Sequence, residues 1–311
     1  MSIPLVIHLT IGCGIFLIGS VVGSFLNVCI YRIPLEKSVI WPDSRCPRCL
    51  SSIAAMDNVP ILGWLALRGE CRRCGLGISP RYPIIELMVA LLFLGAYLTD
   101  VAFNPTGGGH FGDVTSHQMA RTVYHLTLIA FLVVIGVIDA ESKLVFDSVT
   151  IPGMVLGVLL GTLIPDIRPT PSSALTMLEG FKVGMIGLVV GGGLVWFVRF
   201  IAGVIMRREA MGDGDIRILA LIGAFMGWQA AVLAFFIAPF FGLPVAIFKI
   251  IVKAIKRRRK QELSAADGEL PFGPCLGLAA LSLMYAWPWA WDAWAKPRFD
   301  IAADIFWSLL G

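Results

Sequence analysis

Charge is the first thing this chain has little of. Only 15% of its 311 residues are Asp, Glu, Lys or Arg, against 57% hydrophobic, and the mean hydropathy is +0.82. That balance excludes an ordinary soluble domain and predicts a polytopic membrane protein. Other absences narrow the chemistry. No basic stripe is interleaved with exposed aromatics, so nucleic acid is excluded as a partner. None of the four histidines begins a His-Glu-x-x-His pattern, which removes the zinc proteases of that type. Gly191-Gly192-Gly193 is followed by no Lys-Ser/Thr and lies in an apolar run, so it is not a phosphate loop. No Lys or Arg precedes the first apolar run whereas Arg32 follows it, the reverse of a cleaved signal peptide.

What is present are long apolar runs. A spanning helix needs roughly 20 residues, and these runs are too long for barrel strands, so the fold class expected is all-α. Eight spans are predicted: 4–33, 83–103, 122–139, 149–165, 179–206, 216–228, 230–252 and 271–287. Gly227-Trp228-Gln229 is the only break between the sixth and seventh. Basic residues orient the chain. Lys37, Arg45, Arg48, Arg68, Arg72, Arg73 and Arg81 crowd segment 34–82, Arg207 and Arg208 precede the sixth span, and a basic run covers 253–260. The alternate loops, 104–121 and 166–178, hold only Arg121 and Arg168. The N-terminus is therefore expected outside and the basic loops in the cytosol, against anionic headgroups of the membrane lipids. Three parts are expected: a first span (1–33), a cytosolic metal-binding domain (34–82) and a transmembrane body (83–311).

Four of the seven cysteines fall in that cytosolic segment, as Cys46-x-x-Cys49 and Cys71-x-x-Cys74 separated by 21 residues. Paired CxxC elements place four thiolates around Zn²⁺, and Pro47 and Gly75 suit the tight turns. A cytosolic loop is reducing, which argues against two disulfides. Four thiolates close the coordination sphere, so the metal is expected to be structural, stapling a segment too small to fold unaided. Cys13, Cys29 and Cys275 read as small core residues.

Five acidic residues compete for a catalytic role: Asp139, Glu141, Asp147, Asp213 and Asp215. Glu141 and Asp147 fall in the short turn 140–148, where solvated charge is ordinary. Asp139 closes the run Leu126 to Ile138, and Asp215 ends Met211-Gly212-Asp213-Gly214-Asp215 at the start of another span. Ionisable groups at the edge of a span are costly and mark function, either an acid–base pair for hydrolysis or an ion path. Ser142-Lys143 is a weak dyad, because adjacent helical residues do not face one another. Gly153, Gly157 and Gly161, with Gly187 and Gly191, have the spacing that lets helices approach closely. Segment 104–120 reads as a flexible external loop in which His110 and His117 are inert. His8 and His125 read as satisfied packing residues, and Trp287, Trp289, Trp291 and Trp294 as an interfacial belt.

These residues closely resemble one family, the bacterial type IV prepilin peptidases. The likeness runs through Gly23-Ser24-Phe25-Leu26-Asn27-Val28, Tyr31-Arg32-Ile33-Pro34, the paired CxxC loop with Asp57-Asn58-Val59-Pro60, and Ile78-Ser79-Pro80-Arg81-Tyr82-Pro83 with Glu86. It continues through Ile138-Asp139, Gly212-Asp213-Gly214-Asp215 and Pro271-Phe272-Gly273-Pro274. The resemblance implies catalytic aspartates at Asp139 and Asp215 and zinc ligands at Cys46, Cys49, Cys71 and Cys74. It implies cleavage of a basic leader from type IV prepilins or pseudopilins after a Gly at the cytosolic face. Methylation of the new amine with S-adenosylmethionine follows, the cysteine loop marking the bifunctional form. Arg217 stands where the family usually has Lys, and segment 104–120 is longer than usual. The methyl-donor site is not assigned, although Glu86 and Asp57 lie in the right region. The alternative from another class is a membrane transporter or scaffold with a structural zinc module, which requires a polar path that the spans do not supply.

Overall fold

In the computed structural model, residues 3–46, 48–102, 114–168, 176–206, 212–258, 271–287, 291, 296–298 and 301 are described. Helices dominate: α1 (Ile3–Arg32), α2 (Leu62–Ala66), α3 (Arg81–Tyr97), α4 (Ser116–Ser142), α5 (Asp147–Leu163), α6 (Met177–Met206), α7 (Asp213–Met226), α8 (Trp228–Arg258) and α9 (Gly273–Trp287). Among the described residues there is no strand, only the isolated bridges Arg45 to Ser52 and Glu70 to Gly77. All eight predicted runs are helical. Five stretches, in α1, α3, α4, α6 and α8, are long and apolar enough to cross a membrane, while α5, α7 and α9 are shorter.

Local chemistry sets the boundaries. Thr115 and Gln118 form a capping box, the hydroxyl accepting from the Gln118 N–H at 3.2 Å and the Gln118 side chain from the Thr115 N–H at 3.0 Å. The helix thus begins inside the segment read as an external loop. Its first turn is polar and did not register as part of a span. His110 and Gly107 to Gly109 lie outside the described residues, as do Pro47, Arg207, Arg208 and the basic residues beyond Arg258. Between α7 and α8 the break is a single residue: Gly227 has φ +85, a conformation glycine adopts without steric cost, and its N–H bonds the Gly223 carbonyl at 2.8 Å.

The chain divides into two compact units, residues 1–153 and 154–311. In the first, α1 and α3 pack antiparallel: a Cβ on Gly19 would lie 2.8 Å from the Ala90 Cα, and one on Gly23 2.8 Å from the Glu86 Cα. Polar pairs join the helices at both ends. At one end Asn27 donates to the Tyr82 carbonyl at 3.1 Å, and Arg81 pairs with Glu141 at 2.8 Å. At the other, His8 hydrogen-bonds the Tyr97 hydroxyl and His125 Nδ1 bonds the Asp100 carboxylate, each at 2.8 Å. His8, Asp100 and His125 are all buried. Asp100 belongs to a π-helical turn, Leu98–Ala102, that extends α3.

The second unit packs through glycine. Gly187 and Gly191 of α6 lie against the backbone of α7 at Gly223 and Leu219, while Gly180 of α6 lies against α5 at Gly161 and Thr162. The small-residue spacing read from sequence is where these helices meet. Arg168, in the loop 166–178 read as external, is only 3% exposed. Its guanidinium donates to the carbonyls of Gly180 (2.7 Å), Gly161 (3.0 Å), Gly157 (3.3 Å) and Ala224 (3.4 Å). Two of these acceptors, Gly161 and Ala224, lie in the last turns of α5 and α7, whose negative ends suit the charge. Two of the four tail tryptophans also depart from an interfacial belt. Trp287 and Trp291 are buried, stacked with centroids 5.4 Å apart and planes at 8°, while Trp289 and Trp294 lie outside the described residues.

Candidate functional site

The four cysteines predicted as ligands come together. Their sulfur atoms all lie within 4.8 Å of one another, and Cys46 Sγ to Cys74 Sγ is 3.7 Å. A tetrahedron with Zn–S bonds of about 2.3 Å has edges of about 3.8 Å, so the donor set fits a zinc ion. All four thiols are free.

Two turns of matching construction build the cluster. In the first, the Cys46 N–H bonds the Ser51 carbonyl (3.0 Å) and the Leu50 N–H the Cys46 carbonyl (2.9 Å). In the second, the Cys71 N–H bonds the Leu76 carbonyl (2.8 Å) and the Gly75 N–H the Cys71 carbonyl (2.9 Å). Each is closed by an isolated bridge at the same offset. The residue after each CxxC is left-handed, Leu50 at φ +54 and Gly75 at φ +66, which glycine tolerates and leucine does not favour.

Crowding sets the thiols apart. The Ser51 hydroxyl, then the Ser51 main chain, hold Cys49 down at about 6. Main-chain bonds from Cys74 and Arg73 lower Cys71. At Cys74 a main-chain bond to Leu76 pulls downward, but desolvation and the neighbouring thiols push it up to about 11. A divalent cation removes this conflict by neutralising charge that the last thiol cannot carry alone.

Asp57 and Glu86, the carboxylates noted in this region, hold the segment together through their hydrogen bonds. Asp57 accepts a bidentate bond from Arg72, at 2.8 Å from Nε and 2.6 Å from Nη2, which holds its carboxyl below the usual range. Glu86 of α3 accepts the Ile61 N–H at 2.7 Å, fixing a residue with φ +63. Trp64 donates to the Ile78 carbonyl at 3.0 Å.

Asp139 lies in the last turn of α4, 8% exposed, and its carbonyl accepts the Lys143 N–H that ends the helix. Asp215 lies half-buried in the first turn of α7, where the helix N-terminus favours a carboxylate. Asp139 belongs to the first unit and Asp215 to the second. The rival carboxylates are differently placed. Asp213 is exposed and paired with Arg199, and Glu141 is paired with Arg81. Asp147 sits in the first turn of α5. The Ser142 hydroxyl donates to the Ile138 carbonyl within its own helix, so the Ser142-Lys143 dyad gains no support. The end of α6 and Asp213 of α7 border a groove of about 540 Å³, also lined by Trp196, Arg199, Phe200, Gly203 and Val204, and Asp215 is not among its lining residues.

An all-helical chain of apolar spans with a cysteine cluster between the first two defines a class of integral membrane protein; the comparisons define the family. Residues 17–99 match the Bacterial Peptidase A24 N-terminal domain, and residues 126–247 match the Type IV leader peptidase family. The chain is similar to a prepilin leader peptidase/N-methyltransferase of Klebsiella pneumoniae, 34% identical over 226 residues that cover 70% of this chain and 86% of that protein. It is similar to one of Pectobacterium carotovorum subsp. carotovorum, 32% identical over 85% of this chain and 89% of that protein. A relative of the same name from Myxococcus xanthus is 34% identical over 76% of this chain, which spans 62% of that protein's length. No solved structure matches. The chain belongs to the type IV leader peptidase family.

Proposed function

We propose that this chain is a multi-pass enzyme of the bacterial inner membrane that removes the leader from type IV prepilins or pseudopilins and then N-methylates the new terminus. The observation that carries the proteolytic reading is the buried carboxylate of Asp139 at the end of an apolar helix, inside the residues matched by the leader peptidase model. The relatives' names carry both activities, and none of those named is a transporter or scaffold.

In this reading the chain spans the membrane eight times with its N-terminus outside, which puts residues 34–82, Asp139 and Asp215 on the cytosolic side. Residues 1–33 are the first span, 34–82 the zinc-stapled domain and 83–311 the peptidase body. Asp139 and Asp215 form the catalytic pair. The ionised partner takes a proton from water, and the resulting hydroxide attacks the carbonyl of the leader Gly. The protonated partner hydrogen-bonds that carbonyl and gives its proton to the departing amine, so each cleavage returns the pair to one shared proton. The substrate's apolar helix lies in the membrane, bringing the scissile bond to the depth of the two carboxylates.

Cys46, Cys49, Cys71 and Cys74 hold zinc as a staple with no open coordination position. S-adenosylmethionine supplies the methyl group when bound, and its binding residues are not among those assigned here. Purified protein in detergent, given a prepilin peptide, tests both activities by mass spectrometry. Loss of the leader and gain of one methyl group on the mature fragment are expected. Intact peptide would remove the proteolytic reading, and cleaved but unmethylated product with S-adenosylmethionine present would remove the second.

A further inference from the structure

We infer that the turn after α1, carrying Ile40 and Trp41, is an interfacial anchor that seats the cysteine-bearing segment on the bilayer surface. The two side chains are 85% and 68% exposed, among the most exposed large apolar residues described. They are not on a loose tether. Arg32, the last residue of α1, donates to the Ser38 carbonyl at 3.0 Å and the Pro42 carbonyl at 2.6 Å, folding the turn back onto the end of its own helix. Inside the turn, the Ser38 hydroxyl accepts the N–H groups of Ile40 (3.3 Å) and Trp41 (3.2 Å).

The length of α1 fixes the depth of that clasp. Its 30 residues rise about 45 Å, close to the whole bilayer with its headgroup layers (about 40–45 Å) rather than the hydrocarbon alone (about 30 Å). The Arg32 end therefore emerges among headgroups. Exposed apolar residues run along α1 and recur in the turn: Val21, Phe25, Tyr31 and Leu35 are each about half exposed, and Ile40 and Trp41 follow the polar residues 36–38. Tryptophan prefers this layer, where its ring is apolar and its N–H reaches a polar partner. Exposed Glu36 and Asp43 offset Arg32 and Lys37 in this turn, so apolar surface rather than net charge seats it in the interface. The occupant is thus the lipid interface. A prepilin segment is the competing occupant, and the test separates the two. The inference needs only that α1 spans the bilayer and does not depend on the proteolytic reading.

The test uses the full chain in nanodiscs of phosphatidylcholine and phosphatidylglycerol, with acyl chains either plain or brominated near the headgroup. Tryptophan emission is compared between wild type and Trp41→Phe, so that the difference isolates Trp41. The expected result is that brominated lipid quenches this difference at least twofold more than plain lipid, while aqueous iodide hardly quenches it, with or without a prepilin peptide. Quenching by iodide but not by brominated lipid would overturn the inference. So would protection from iodide that appears only when prepilin is added, which would assign the surface to substrate.

Discussion

The two units of this protein are held together by different means. In the first, long-range side-chain pairs latch the helices at both ends: His8 with Tyr97, Asp100 with His125, Asn27 with the Tyr82 carbonyl, Arg81 with Glu141. In the second, side chains are removed at the contacts, and glycines bring backbone against backbone, with one buried Arg168 binding carbonyls of three helices. The lesson concerns tolerance. A latch can be lost and leave the packing beneath it, whereas a backbone contact leaves no room for one added methyl group.

The sharpest way to break this comparison is Arg168→Met. It removes the donor to buried carbonyls of three helices, at about 1–3 kcal/mol for each acceptor left unsatisfied. A fall in Tm of the detergent-solubilised protein would register it, and an unchanged Tm would mean the cluster is ornamental.

Next in size are the glycines. A Cβ on Gly187 would meet the Gly223 backbone, its carbonyl carbon at 2.8 Å, whereas one on Gly193 would meet nothing within 4 Å. Gly187→Ala should cost about 1–3 kcal/mol through overpacking, and Gly193→Ala should be neutral or slightly stabilising, since alanine favours helix. Equal effects from the two would erase the contrast. The smallest effect expected is from Glu141→Gln. Both partners of its pair with Arg81 are more than a third exposed, and the loss should be about 0–1 kcal/mol, shrinking further in high salt.

Much of this arrangement was legible in the sequence because it is written in local patterns. The run read as 179–206 is α6 at Met177–Met206, and the cysteine cluster followed from CxxC spacing alone. Gly227 looked like a weak turn yet ends α7 cleanly, because positive φ needs only one glycine. What escaped has partners far away along the chain. Arg168 reads only as a basic residue of an external loop, since its acceptors are main-chain carbonyls, which leave no mark in a sequence. Asp100 drew no notice because its histidine lies 25 residues on. The start of α4 is hidden for the opposite reason: the Thr115 and Gln118 cap is polar and reads as part of the preceding loop. The buried Trp287–Trp291 stack does have a signal, an i, i+4 spacing, that composition alone overlooked.

The central claim of the proposed function is that Asp139 and Asp215 are both needed for the one hydrolytic step. Cleavage of a prepilin by Asp139→Asn and by Asp215→Asn protein measures it directly, with methylation of a pre-cleaved peptide as the control for folding. Each variant should lose turnover by about 10²–10⁴-fold or more, as expected when a general acid–base group is removed, and should still methylate the pre-cleaved peptide. Cleavage near the wild-type rate by either variant would contradict the account.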